Sequence, residues 1–206
     1  REKLALPAAA LLALMAAEPA LADAMSDGNA GNDATRNNDY DGAITLLNNA
    51  ISSGNLSKEQ SATAYFDRGT AYLSKGQPDN AIADFSQAIT LRPKDGPSFF
   101  MRANAYATQG KYDPAIADFN AAIAIDPKNA DAHANLGNAY RAKGMNDQAL
   151  TEYGAALAVH SSPYAYEGRG LVYLATNKVD LAIADLNEAI KLKPDYTAAL
   201  VNRANA

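Results

Sequence analysis

The chain has no cysteine in 206 residues, only two histidines, and no block of basic side chains. Without a thiol there is no disulfide framework, zinc–thiolate site, iron–sulfur cluster, cysteine nucleophile or lipidated cysteine. Acidic residues outnumber basic ones by 23 to 18, a formal net charge of −5, which argues against a nucleic-acid or anionic-membrane partner. No P-loop, Gly-x-Ser-x-Gly elbow, His-Glu-x-x-His or Gly-x-Gly-x-x-Gly occurs. No cofactor or metal is therefore expected, and no catalytic residue is singled out. What is plentiful is alanine, which loses no rotamer entropy in a helix and lets helices approach closely. An apolar content of 48% over this length is enough for one or two domains with a real core.

Residues 1–22 read as a secretory signal peptide: Arg1-Glu2-Lys3, an apolar run from Leu4 to Ala17, then Ala20-Leu21-Ala22. The run is too short for a stable membrane anchor, and the small residues at its end suit a signal peptidase cutting after Ala22. The leader holds two charges of each sign, so its removal leaves −5. With no cysteine after the cut, a lipoprotein is excluded and the mature protein is expected free in a bacterial periplasm or secreted. Residues 23–39, rich in Asp, Asn, Gly and Ala, carry almost no large apolar side chain and are expected to form a flexible leader.

Sliding the chain against itself brings residues 62–95, 96–129, 130–162 and 163–196 into register, with a period of 34 residues and one deletion near Ser161. Such self-similarity marks a stacked-repeat architecture. Each copy has a small residue (Gly69, Ala103, Gly137, Gly170) three positions before a tyrosine (Tyr72, Tyr106, Tyr140, Tyr173) on a first helix. That helix should stop at Gly76, Gly110, Gly144 and Asn177, residue types that accept the left-handed conformation. Asp79, Asp113, Asp147 and Asp180 are placed as N-caps of a second helix, with Pro114 at a first helical position. On that helix Ala81, Ala115, Ala149 and Ala182 precede Phe85, Phe119, Tyr153 and Leu186, then Ala88, Ala122, Ala156 and Ala189, all on one stripe.

These four copies resemble the tetratricopeptide repeat (TPR) family in its exported bacterial form, over residues 62–196. The bulky first-helix position is Tyr65, Phe99, His133 and Tyr166 in place of the family's tryptophan, and its leucine is replaced by Arg68, Arg102 and Arg169. The resemblance implies an all-α, right-handed α-solenoid of stacked helix-turn-helix repeats. Residues 40–61 read as a half-repeat and linker: Asp41 to Ala50 matches a second helix with Asn38 as the stop before it and Asp41 as its cap, and Ser52 to Gln60 is the linker. Its first helix is expected to be absent or frayed. Residues 197–206 begin a further first helix, so the chain reads as a piece of a longer protein.

Asp84, Asp118 and Asp185 recur sixteen residues after Arg68, Arg102 and Arg169 and are expected to be their ion-pair partners, not acid–base catalysts; Glu152 faces Leu136 and breaks the rule. His133 and His160 read as structural. The run Asn37-x-Asp39-x-Asp41-Gly42 resembles part of a calcium loop but meets Asn48 where a bidentate glutamate is required.

What remains is a surface. Family resemblance places Phe66, Thr70, Phe100, Asn104, Asn138, Arg141, Tyr164, Glu167 and Leu171 on a concave groove that would hold a protein or extended peptide. Asparagines there can bond a peptide backbone through donor and acceptor together. Phe66 and Phe100 have a competing reading as packing residues. The cationic clamp by which some family members hold a terminal carboxylate is not matched, since Thr63, Pro97, Asp131 and Asp67 stand where cations are wanted. The expectation is a non-enzymatic scaffold or adaptor. The alternatives are the docking arm of an enzyme whose catalytic domain lies beyond Ala206, and a self-assembling structural protein.

Overall fold

The computed structural model describes residues 8–206, and these form eleven helices. The charged start of the leader lies outside the described residues. Two compact units divide the chain, residues 1–94 and 95–206.

The first unit contains α1 (Ala8–Arg36), α2 (Tyr40–Ser52), α3 (Lys58–Ser74) and α4 (Pro78–Leu91). In the α3–α4 pair Phe85 is fully buried, and Gly69 faces it so closely that a Cβ there would stand 2.9 Å from the ring. Burying such a ring contributes on the order of 2–3 kcal/mol. The chain reverses through Gly76 at φ 71°, the left-handed stop expected from its position. Ser57 begins α3 with a capping box: its hydroxyl accepts from Gln60 N while the Gln60 side chain accepts from Ser57 N. This box starts the helix four residues ahead of Ala62, so the linker is shorter than the sequence reading has it.

The segment read as a flexible leader is helical through Arg36. Its physical basis is small-residue packing, which a count of large apolar side chains overlooks. Gly31 lies against Leu47 of α2 with room for no Cβ, since one would meet Leu47 Cγ at 2.6 Å, and Ala24 is 2% exposed. Gly31 and Leu47 are sixteen residues apart, as are Gly69 and Phe85, so α1 supplies the first helix expected to be absent. Asn38 takes φ 63° as the stop between the two helices, as its place in the sequence implies. The cap of α2 is Asp39, whose carboxylate accepts from Gly42 N, and Asp41 stands inside the first turn.

The second unit contains α5 (Gly96–Thr108), α6 (Tyr112–Ile125), α7 (Ala130–Ala142), α8 (Asn146–Val159), α9 (Pro163–Ala175), α10 (Val179–Leu192) and α11 (Thr197–Ala204). The first helices begin where the repeat register puts them. Gly137 faces the buried Tyr153 and Gly170 the buried Leu186, repeating the small-against-large contact. Ala199 of α11 is fully buried against Leu186 and Ala189, as a further first helix would be. Gly110, Gly144 and Asn177 are the left-handed stops.

The aspartates placed as caps of the second helices stand inside them. The helices start at Pro78, Tyr112, Asn146 and Val179, and none of the preceding residues makes a side-chain cap bond. A single residue separates each left-handed stop from the helix, so Asp79, Asp113, Asp147 and Asp180 fall at the second helical position and Pro114 at the third. There the carboxylates still favour the positive end of the helix dipole.

Three arginine–aspartate pairs lock first helix to second. Arg68 meets Asp84 at 2.8 and 2.7 Å, Arg102 meets Asp118 at 2.7 and 2.8 Å, and Arg169 meets Asp185 at 2.7 and 2.8 Å, each through Nε and Nη2. Each guanidinium also lies over a ring, Tyr65, Phe99 or Tyr166, 5.4 to 5.7 Å from its centre. Where the arginine is replaced by Leu136, the longer Glu152 reaches His133 Nδ1 at 2.7 Å. A polar lock therefore survives in that repeat with a different partner. Among the described residues no helix is long and apolar enough to cross a membrane.

Candidate functional site

A cleft of about 500 Å³ opens in the second unit between α5, α6 and α7, and its walls carry Asn104, Asn135, Asn138 and Arg141. Asn104 and Asn138 occupy equivalent places in adjacent repeats, which is why stacking sets them side by side. Asn135, one turn before Asn138, donates from Nδ2 to Asn104 Oδ1 at 3.0 Å. The Tyr153 hydroxyl donates to Asn138 Oδ1 at 2.6 Å. The side-chain oxygens of Asn104 and Asn138 are thus both engaged within the protein. Arg141 brings the cationic charge, and its Nε is buried without a hydrogen-bond partner.

Glu167 of α9 approaches this charge from the neighbouring repeat. Burial pushes its carboxyl above the ordinary carboxylate range, against the pull of Arg141 and of a 2.9 Å hydrogen bond from Asn202. Burial likewise pushes the Tyr153 phenol up, with Arg141 opposing. Gly168 makes room for that phenol: a Cβ there would lie 2.7 Å from the Tyr153 oxygen.

Of the residues that family resemblance places on the groove, Asn104, Asn138 and Arg141 come together in this cleft, with Glu167 beside Arg141. Tyr164 of α9 is 58% exposed and stands edge-on to Tyr196 at 5.3 Å, with Lys193 donating to its hydroxyl at 3.1 Å. Leu171 is half-buried on the same helix. Phe100 and, in the first unit, Phe66 are half-buried, their rings tilted against Phe119 and Phe85 at 5.9 and 5.7 Å. Both are already engaged with the second helix of their own repeat. The Thr70 hydroxyl donates to the Phe66 carbonyl of its own helix. The sequence reading did not single out Asn135, Gly168 or Asn202, and it gave Tyr153 a core role only. A signal existed, because Tyr153 places a hydroxyl where two other repeats have phenylalanine.

Residues 62–95 match the tetratricopeptide repeat, residues 103–144 the TPR repeat, and residues 135–197 again the tetratricopeptide repeat. The chain belongs to the tetratricopeptide repeat family. Its fold is the all-α solenoid class of helix-turn-helix repeats. Similar solved structures include YrrB, described as a TPR protein with an unusual peptide-binding site, at 23% identity, TM-score 0.73, over 88% of this chain and 92% of that one. MamA from Desulfovibrio magneticus RS-1 is similar at 16% identity and TM-score 0.76, over 85% of this TPR chain and 97% of its own. TTC0263, a thermophilic TPR protein of Thermus thermophilus, gives 20% identity and TM-score 0.65, over 88% and 97%. Among curated protein sequences none matches the chain.

Proposed function

We propose that this TPR chain is a protein-interaction scaffold that holds an extended peptide segment of its partner in the cleft of the second unit. The observation that carries the reading is the amide row: Asn104, Asn135 and Asn138 line one cleft, with the oxygens of Asn104 and Asn138 tied internally. Amide groups fixed in this way match the spacing-tolerant donors and acceptors of an extended backbone without demanding a particular side chain. Arg141 adds a cation at one end. The peptide-binding description of YrrB supports the same class of ligand. The leader pattern of residues 1–22 supports export, with cleavage after Ala22 and action in a periplasm or outside the cell.

The test begins with crosslinking of the full chain in a periplasmic extract, followed by affinity measurement with the captured partner. Replacing Asn104, Asn138 and Arg141 together by alanine should lower affinity at least tenfold, since hydrogen bonds to a desolvated backbone are worth on the order of 1 kcal/mol apiece. Unchanged affinity would move the interface off this cleft.

A further inference from the structure

The first unit holds a second concavity, a cavity of about 230 Å³ between α1 and α3, distinct in residues from the amide cleft. Its lining is apolar at Met25, Leu56 and Ala64 and polar at Asn29, Asn32, Glu59 and Asp67. Asp67 is half-buried and receives one hydrogen bond among the described residues, 3.0 Å from Asn32 Nδ2.

Asp67 is unlike the other buried acids of the fold. Asp84, Asp118 and Asp185 each face a guanidinium in a two-pronged pair, so their desolvation is offset. Asp67 has no cation within ion-pair distance among the described residues, although Arg36 at the end of α1 and Arg92 after α4 act on it from farther away. Glu59, one further acid on α3, is exposed and sits 4.0 Å from Arg92. Nor does the repeat need an acid here. The equivalent positions carry Met101, Asn135, Gly168 and Asn202, and each of those first helices forms without an acid there. The copies within the chain thus serve as internal controls: a carboxylate has been placed on a cavity wall at a cost that packing does not require.

We propose that this cavity is a binding site for the side chain of a lysine or arginine presented by a partner protein. The cationic head would pair with Asp67 and donate to the side-chain oxygens of Asn29 and Asn32. Its methylene stem would lie along Met25, Leu56 and Ala64, the arrangement by which long basic side chains bury apolar length while keeping the charge in polar surroundings. The volume suits one side chain and not a helix. This assignment does not depend on the amide cleft, which lies in the other unit and would take a backbone.

The experiment uses the full chain and three probes, N-acetyl-lysine amide, N-acetyl-arginine amide and the neutral N-acetyl-norleucine amide, followed by NMR. At pH 7.5 at least one cationic probe should bind saturably, moving the amide resonances of Asn29, Asn32 and Asp67, and norleucine should not. Burial raises the Asp67 carboxyl to about 6, against the pull of Arg36 and Arg92, so binding should weaken as the pH falls through that value and Asp67 loses its charge. Asp67→Asn should lower affinity at least tenfold with an unchanged circular dichroism spectrum. Asn29→Leu, which keeps the carboxylate and crowds the cavity, should weaken binding as well. Absence of saturable binding by either cation, equal binding of norleucine, or full affinity in Asp67→Asn would each overturn the proposal.

Discussion

The hydroxyl of Tyr153 donates a 2.6 Å hydrogen bond to Oδ1 of Asn138, joining a fully buried core ring to a side chain of the amide cleft. The ring fills the space that Gly137 and Gly168 leave between α7, α8 and α9. Core packing and cleft geometry are therefore one construction in this repeat. Tyr153→Phe should cost only about 0.5–1.5 kcal/mol in urea denaturation, because phenylalanine already serves at positions 85 and 119, yet it should release Asn138 and weaken peptide binding. A stability loss with no change in binding would separate the two roles.

Gly168→Ala is the complementary change. The added Cβ would meet the Tyr153 ring at 2.6 Å, and crowding of this kind costs about 1–3 kcal/mol, more than the roughly 1 kcal/mol an alanine gains over glycine in a helix. Net destabilisation is expected by thermal melting. A stabilised variant would mean the ring can move aside freely.

The same reasoning applies to Gly31→Ala, whose Cβ would lie 2.6 Å from Leu47 Cγ. If α1 packs as a true first helix, this variant should melt lower than wild type. An unchanged melting temperature would return residues 23–36 to the status of an undocked leader.

Much of the architecture was legible because the physics repeats. The 34-residue period carried the small-against-large contacts, the left-handed stops and the arginine–aspartate locks, each supported by three or four correlated copies. Where a feature occurs once, the sequence was mute or misleading. The α1–α2 pair follows the same sixteen-residue rule at a 38-residue offset from α3–α4; its second helix was legible from Asp41 to Ala50, but its first helix, built on Gly31 and Ala24 without large apolar side chains, was not. The cleft was legible at Asn104 and Asn138, which repeat, and not at Asn135 or Gly168, whose position varies from copy to copy. The capping aspartates were misplaced because the stop signal and the helix start are separated by one residue only.

Arg169 and Asp185 offer a measure of the locks. Each single alanine change leaves a half-buried or buried charge unpaired and should destabilise by about 1–3 kcal/mol, whereas the double variant should lose clearly less than the sum. Additivity in the cycle would mean the two side chains do not couple.

Asp67 predicts a pH dependence of opposite sign to the usual acid. Burial raises its carboxyl from 3.8 to about 6 in the folded state. The folded chain then holds this proton more tightly than the unfolded one, so the contribution is present below about 4 and lost as pH rises through 6. A shift of this size corresponds to at most about 3 kcal/mol, and less here because the group is only half-buried and solvent screens it. Asp67→Asn should accordingly stabilise the chain at pH 7.5 and leave it nearly unchanged at pH 4. Destabilisation at pH 7.5 in urea titrations would show that the charge is favourable where it stands.

The contrast between two kinds of ion pair sets how the repeats respond to ionic strength. Within a repeat, the guanidinium pairs are sheltered by rings and neighbouring backbone, where dissolved ions screen little. Between successive repeats, Lys75 reaches Asp41 and Lys143 reaches Asp113, and those aspartates are 84% and 81% exposed. Such ties are worth less than about 1 kcal/mol and fade in salt. In the language of a one-dimensional chain of coupled elements, salt leaves the intrinsic stability of each repeat in place and lowers the nearest-neighbour term. High ionic strength would therefore broaden the unfolding transition and lower its midpoint by no more than these exposed ties contribute, while the guanidinium locks within repeats are kept.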